Sequence, residues 1–454
     1  MIHRALKLSR LANTIAIPTR LGLISVHSRS PSPSPAVRLL HDGTDVLAVK
    51  PVALQMTDYA FSHARSQKSD ESYAQGLLIL EQCLSTQSGD SHDTDSQNSK
   101  GMVLLAMATL LADRGNFNEA MEKLQMVQGL TQSSLAVRVA ATEALVGLNL
   151  ELGHVYLRSS RPGSLVHRDV YFLPDDTSSV LADKCLELFD KDEPRGSAGG
   201  YLAVEARAKA VKGLVEHVRG NLEPVKSCFQ AFLVVEDSAG SSAALSYGEF
   251  LHGTRNFSLA KELYQNVIQS VGGNKGFGNI CTLAACNMAP DEVLLAATCA
   301  LGQLEAHTGN FDDAEEILTR ALTKTEEQYG TCHPKVGVVL TCLALMFRSK
   351  AKQEHSSALL IQEGLYRRAI ELLKALPLES EETMGSRRDI VALARGGYAQ
   401  ALSVQQNRKN EGGKMKRWAE SAWGSHRMSL AEALDLSESS GKVPIIDVRI
   451  SRVL

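Results

Sequence analysis

The stretch RGNFNEAMEKL at residues 114–124 decides the fold. A Gly-Asn turn stands before Phe117, Ala120 and Leu124, which share one helical face. The chain writes nearly the same phrase three more times, as RGNLEPVKSCF at 219–229, TRNFSLAKELY at 254–264 and TGNFDDAEEIL at 308–318. Apolar stretches with helical spacing come before the turns: MVLLAMATLLAD at 102–113, ALSYGEFLHG at 244–253 and LLAATCALGQLEAH at 294–307. The recurring unit is therefore a helix, a tight turn and a second helix. The second helices share a pattern of alanine, a large residue four later and an apolar residue three after that. Examples are Ala120/Leu124/Val127, Ala260/Tyr264/Val267 and Ala314/Leu318/Ala321. The small residue marks the closest crossing of two helices, and the larger ones fill the groove beside it.

This pattern resembles the tetratricopeptide repeat, in which helix pairs of ~34 residues stack into a solenoid. The resemblance is to organellar, plant-type members of that superfamily. From Val225 to Ala260 is one such interval, while others are longer and require inserted loops. Gly248 and Gly302 fall where the family places its small crossing residue, with Ala108 and Gly213 in the same role. The stretch 309–348 resembles repeats of the kinesin light chain type, with His333-Pro334 as the joint, and GLYRRAIELL at 364–373 continues it. Further second-helix matches lie at 71–84, 179–189 and 414–423. The resemblance implies an all-α protein, an α-solenoid of about seven or eight stacked antiparallel helix pairs over 52–427. A polar loop is expected at 85–100 and an insertion at 159–178. The remaining 428–454 forms a C-terminal tail, where SGKVPIIDVRISRVL at 440–454 alternates, is rich in β-branched residues and predicts a strand.

Residues 1–41 differ from the rest. They carry Arg4, Lys7, Arg10, Arg20, Arg29 and Arg38 and no acid before Asp42. A basic, serine-rich, amphipathic start predicts a mitochondrial transit peptide leading to the matrix, with a chloroplast address as the alternative. Without it the chain holds 42 Lys and Arg against 51 Asp and Glu, a net near −9. That balance argues against a nucleic-acid surface. No apolar run reaches the ~20 residues of a membrane span.

No chemistry stands out. GGNKGFGN at 272–279 lacks the Gly-Lys-Ser/Thr end of a phosphate loop. His167-Arg168-Asp169 lacks the other kinase motifs. PIIDVR at 444–449 echoes a sulfur-transferase strand, yet no cysteine loop follows it. Eight scattered cysteines (83, 185, 228, 281, 286, 299, 332 and 342) match no common zinc spacing and are expected as buried free thiols. No catalytic, metal or cofactor site is expected.

A solenoid instead offers a concave face lined by first helices, where partner segments bind. At the corresponding places stand Arg207, His217, Glu249, His252, Gln303, His307 and Arg348. The Lys/Asn carboxylate clamp of peptide-holding relatives is absent. The expected function is a non-enzymatic scaffold or assembly factor that binds other proteins. The alternative is an organellar RNA-binding protein of pentatricopeptide type, which requires regular 35-residue spacing and a basic groove. The sequence carries no signal of oligomeric state.

Overall fold

The four repeated turns end four helices in one way. Gly115, Gly220 and Gly309 adopt φ of +79°, +81° and +85°, the left-handed region in which a Cβ is penalised. Gly115 N–H donates to the Ala112 carbonyl and Asn116 N–H to the Leu111 carbonyl, both at 2.9 Å. The same pair of bonds recurs from Gly220 and Asn221 to His217 and Glu216, and from Gly309 and Asn310 to Ala306 and Glu305. This is the Schellman arrangement, which satisfies carbonyls that a helix end leaves open. Each asparagine carbonyl then accepts from the N–H four residues on (Ala120, Val225, Ala260, Ala314), so the next helix starts at once. The third copy keeps the geometry with Arg255 at φ +66°.

The computed structural model describes residues 47–86, 93–153, 174–191, 198–230, 242–273, 283–354, 359–373, 387–425, 427–435 and 442–454. All of them fall in one unit, Asp45–Leu454. The expected leader at 1–41, residues 167–169 and most of the glycine-rich 272–279 lie outside the described residues.

Among the described residues, sixteen helices form eight pairs. They are α1 (Pro51–Gln67) with α2 (Asp70–Thr86), α3 (Thr94–Asp113) with α4 (Phe117–Gln128), and α5 (Leu135–Leu152) with α6 (Pro174–Lys191). Next come α7 (Ala198–Arg219) with α8 (Leu222–Gln230), α9 (Ser242–Gly253) with α10 (Phe257–Gly273), and α11 (Pro290–His307) with α12 (Phe311–Tyr329). The last are α13 (Pro334–Glu354) with α14 (Leu359–Leu372) and α15 (Arg388–Ser403) with α16 (Lys409–Ala422), followed by the short α17 (Leu430–Leu434). First helices of successive pairs pack on one another as an inner layer, and second helices form the outer layer. The fold is an all-α solenoid.

The small-to-large crossings are where the sequence placed them. A Cβ on Gly302 would lie 2.7 Å from Leu318 Cγ, and one on Gly248 would lie 2.8 Å from the Tyr264 ring. Phe229 closes on Gly213 in the same manner. Ala108 and the alanines 120, 260 and 314 are fully buried.

Part of the polar stretch 85–100 is helical rather than loop. Asp93 caps α3 by accepting from Ser96 N–H at 3.3 Å. Asn98 and Ser99 are then buried because they bond neighbouring segments. Asn98 donates to the Ala48 carbonyl (3.1 Å) and accepts from Ser134 N–H (2.7 Å), and Ser99 Oγ accepts from Lys50 N–H (2.9 Å). The last residues of the expected insertion, Pro174–Ser178, already belong to α6.

The solenoid winds back on itself. Arg65 of α1 pairs with Asp113 at the end of α3 and with Asp291 at the start of α11, 226 residues away. Arg387, beside α15, pairs with Glu151 of α5 at 2.7 Å and lies over the Phe117 ring of α4. Two segments fill the space the inner helices enclose. One is 283–289, buried throughout, whose Cys286 N–H donates to Thr109 Oγ1 (2.9 Å). The other is the C-terminal tail.

The tail is a hairpin, not a lone strand. β1 (Ile446–Asp447) and β2 (Arg452–Val453) pair antiparallel, with Ile446 opposite Val453 and Asp447 opposite Arg452. Ile445, Ile450 and Leu454 join a cluster with Val146 and Leu150 of α5 and Val211, Leu214 and Val215 of α7. Ile446, Val448 and Val453 join the cluster of the later inner helices. Both faces of the hairpin are thus covered by the same chain.

Candidate partner-binding groove

The inner helices owe their position to composition. α9 is buried at every residue, and α3, α5, α11, α13 and α15 are buried around almost their whole circumference. A helix apolar on all sides is covered on all sides. The few polar groups it carries must then find partners inside.

Two of the seven expected groove residues hold the tail directly. The Gln303 amide makes two bonds to one tail residue: Ile446 N–H donates to Oε1 (2.8 Å) and Nε2 donates to the Ile446 carbonyl (3.0 Å). A side-chain amide thereby stands in for a neighbouring strand. Glu249 pairs with Arg449 at 2.5 Å, with both side chains at 0% exposure.

Arg449 is the hub of the hairpin. Its Nε and Nη2 donate to the two Asp447 oxygens at 3.1 and 2.8 Å. Nη1 donates to the Ser242 carbonyl (3.0 Å), and Nη2 also reaches Ser246 Oγ (3.1 Å). Burial opposes its charge, but Asp447 and Glu249 outweigh burial and hold the guanidinium protonated. With two carboxylates around one cation, burial and Asp447 push the Glu249 carboxyl well above its usual range. Arg452 plays a similar part toward α15 and α5: its Nε donates to Asp389 (2.7 Å) and its Nη1 to the Leu150 carbonyl (3.0 Å).

His217 reaches the tail through an intermediary. Its Nε2 lies 3.0 Å from Arg427 Nη1, while Arg427 Nη2 donates to the Gly253 and Val443 carbonyls at 2.9 and 2.8 Å. Burial lowers Arg427 to about 10, so it stays charged, and burial beside it keeps His217 neutral. His252 and His307 form a pair, with Nε2 of the first 2.8 Å from Nδ1 of the second, and His252 Nδ1 lies 3.2 Å from the Tyr264 hydroxyl. Burial lowers both histidines, and His307, beside Arg255, falls to about 4.

The other two expected residues have different company. Arg207 pairs with Glu143, whose other oxygen accepts from Ser242, one step from the hub. Arg348 lies apart and donates to Gln400 Oε1 (2.9 Å). The residues that complete the assembly were not singled out by sequence: Glu143, Glu151, Asp389, Arg387, Arg427, Arg449 and Arg452. A signal for them existed, since Glu143 and Asp389 each sit in a largely apolar helix and each needs a cation.

Among the described cysteines, 83, 185, 286, 299 and 342 are buried, 228 is half-buried and 332 is exposed, all as free thiols. Among the described residues no helix is long and apolar enough to cross a membrane.

No family model and no curated protein matches the chain. Among solved structures, the "Assembly Chaperone of RpL4 (Acl4) (Residues 1-338)" is 15% identical, with 54% of this chain and 89% of that chain covered and a TM-score of 0.28. Yeast Tom70 is 13% identical, with 82% and 92% covered and the same TM-score of 0.28. Similarity at this level says nothing of what the chain binds.

Proposed function

We propose that this chain is a non-enzymatic scaffold or assembly factor that holds a segment of another protein against the inner face of its solenoid. The observation that carries this is the way α11 and α9 already hold an extended segment, through the two Gln303 bonds to the Ile446 backbone and the Glu249–Arg449 pair. Backbone capture by a fixed amide, with charged side chains setting the register, is how a protein surface holds an extended peptide. The basic, acid-free residues 1–41 support delivery to the mitochondrial matrix, with a plastid as the other address. The net charge of the remainder and the acids Glu143, Glu151, Glu249 and Asp389 on the inner layer weigh against an RNA groove.

The test is cross-linking of the tagged full chain in isolated mitochondria. A client segment cross-linked to α9 and α11, and lost in Gln303→Ala, supports the proposal. Salt-dependent retention of the chain on single-stranded RNA, with no client cross-link, refutes it. Import is checked separately: a fluorescent fusion lacking residues 1–41 stays in the cytosol.

A further inference from the structure

Resting on that proposed scaffold role, we infer that the inner face is a receptor for an Asp-x-Arg-x-x-Arg segment, which the C-terminal hairpin fills in cis and a client of the same chemistry fills in its place. The two arginines of the hairpin, Arg449 and Arg452, stand three residues apart and pair with Glu249 of α9 and Asp389 of α15. Among the described residues, the ion pairs of Glu249 and Asp389 are both made with the tail. The other inner acids have cations from the solenoid itself: Glu143 has Arg207, Glu151 has Arg387 and Glu292 has Lys335. Glu249 and Asp389 are thus set apart from these three acids by drawing their cations from the tail, and these two define what a ligand must bring.

Recognition of the rest is by backbone. Gln303 meets the tail through the main chain of Ile446, and the Gly253 carbonyl shares Arg427 with the main chain of Val443. Those contacts ask for extended conformation and not for particular side chains. The cis fit is also incomplete. Glu249 Oε1 finds no donor among the described residues.

The experiment starts from the full chain, folded with its tail in place and carrying a protease site within 436–441. After cleavage, a fluorescent peptide of residues 442–454 is added in excess and its anisotropy is followed, with circular dichroism recorded in parallel. The expected result is saturable exchange of peptide for the cut tail. A peptide with Arg449→Ala and Arg452→Ala binds at least tenfold more weakly, and the uncut chain takes up neither. The inference is overturned if the cut tail resists displacement while the helices persist, if both peptides bind alike, or if cleavage unfolds the solenoid. In those cases the hairpin is fixed core. The scaffold role survives such a failure wherever the mitochondrial cross-links to a client persist, so the two ideas fail separately.

Discussion

Replacing Arg449 by alanine should cost this protein about 5 kcal/mol. The side chain is at 0% exposure, and so is that of each acid it pairs with, Glu249 and Asp447. Breaking one buried ion pair by removing a partner costs ~3–5 kcal/mol, because the other charge stays buried without compensation. Here two carboxylates lose the same cation, which places the change at the upper end. The described unit spans Asp45–Leu454, and at roughly 2.1 cal/mol/K per residue its unfolding entropy is about 0.85 kcal/mol/K. A loss of about 5 kcal/mol then lowers the melting temperature by about 6 °C. Thermal circular dichroism at pH 7.5 reads this directly. An arginine on a loose tail would change stability by less than about 0.5 kcal/mol, so a shift below about 1 °C refutes the buried-hub account. A companion variant checks the cause. Arg449→Met with Glu249→Gln and Asp447→Asn removes the charges together, and an apolar replacement of a whole buried cluster can be neutral. It should recover most of the loss; a triple variant as weak as Arg449→Ala would show that packing, not charge, sets the cost.

Three further outcomes are expected. His307 falls from 6.5 to about 4 on folding through burial and the nearby Arg255, so the unfolded chain binds more protons between those values. The His307 contribution is therefore full above about pH 6.5 and is lost as pH falls toward 4, by about 2 kcal/mol at pH 5; because burial lowers His217 and His252 too, His307→Gln should lessen but not abolish the fall in urea midpoints from pH 7 to 5. Gly302→Ala puts a Cβ 2.7 Å from Leu318 Cγ and should cost ~1–3 kcal/mol in urea unfolding, part of which Leu318→Ala restores. Arg255→Gly, at φ +66°, should gain up to about 1 kcal/mol, whereas Gly309→Ala, at φ +85°, should lose ~1–2 kcal/mol; equal responses at both turns would contradict the left-handed Schellman assignment.

The repeated phrase was informative because everything it specifies is local. A left-handed residue, two carbonyls three and five positions back, and a large side chain about sixteen residues from its glycine partner all lie within one repeat. The inner face was harder to read. His217, Glu249 and Gln303 sit on first helices, but position says nothing of what lies across from them. Their contacts are to Arg427 and to residues 446–449, between 143 and 210 positions along the chain. Arg449 and Glu249 look in sequence like any solvated pair. The missed clue was the lack of a polar stripe on the first helices. ALSYGEFLHG and IVALARGGYAQAL are apolar around most of their circumference, so something had to cover the face that an open solenoid leaves to water.

The sequence alone determined the repeated helix pairs, their Gly-Asn turns and the closest crossings, because turn chemistry and a helical hydrophobic period act over a few residues. Only the tertiary structure decided that the solenoid winds until Arg65 meets Asp291 and Arg387 meets Glu151, and that the alternating tail turns into a hairpin inside it. Those outcomes depend on small rotations between successive units, summed over eight pairs, and on charges that find one another only after the sum is complete. A strand-like pattern states that two faces will be covered. It does not state by what, and here the answer is the inner faces of α5 and α7 on one side and those of the later inner helices on the other.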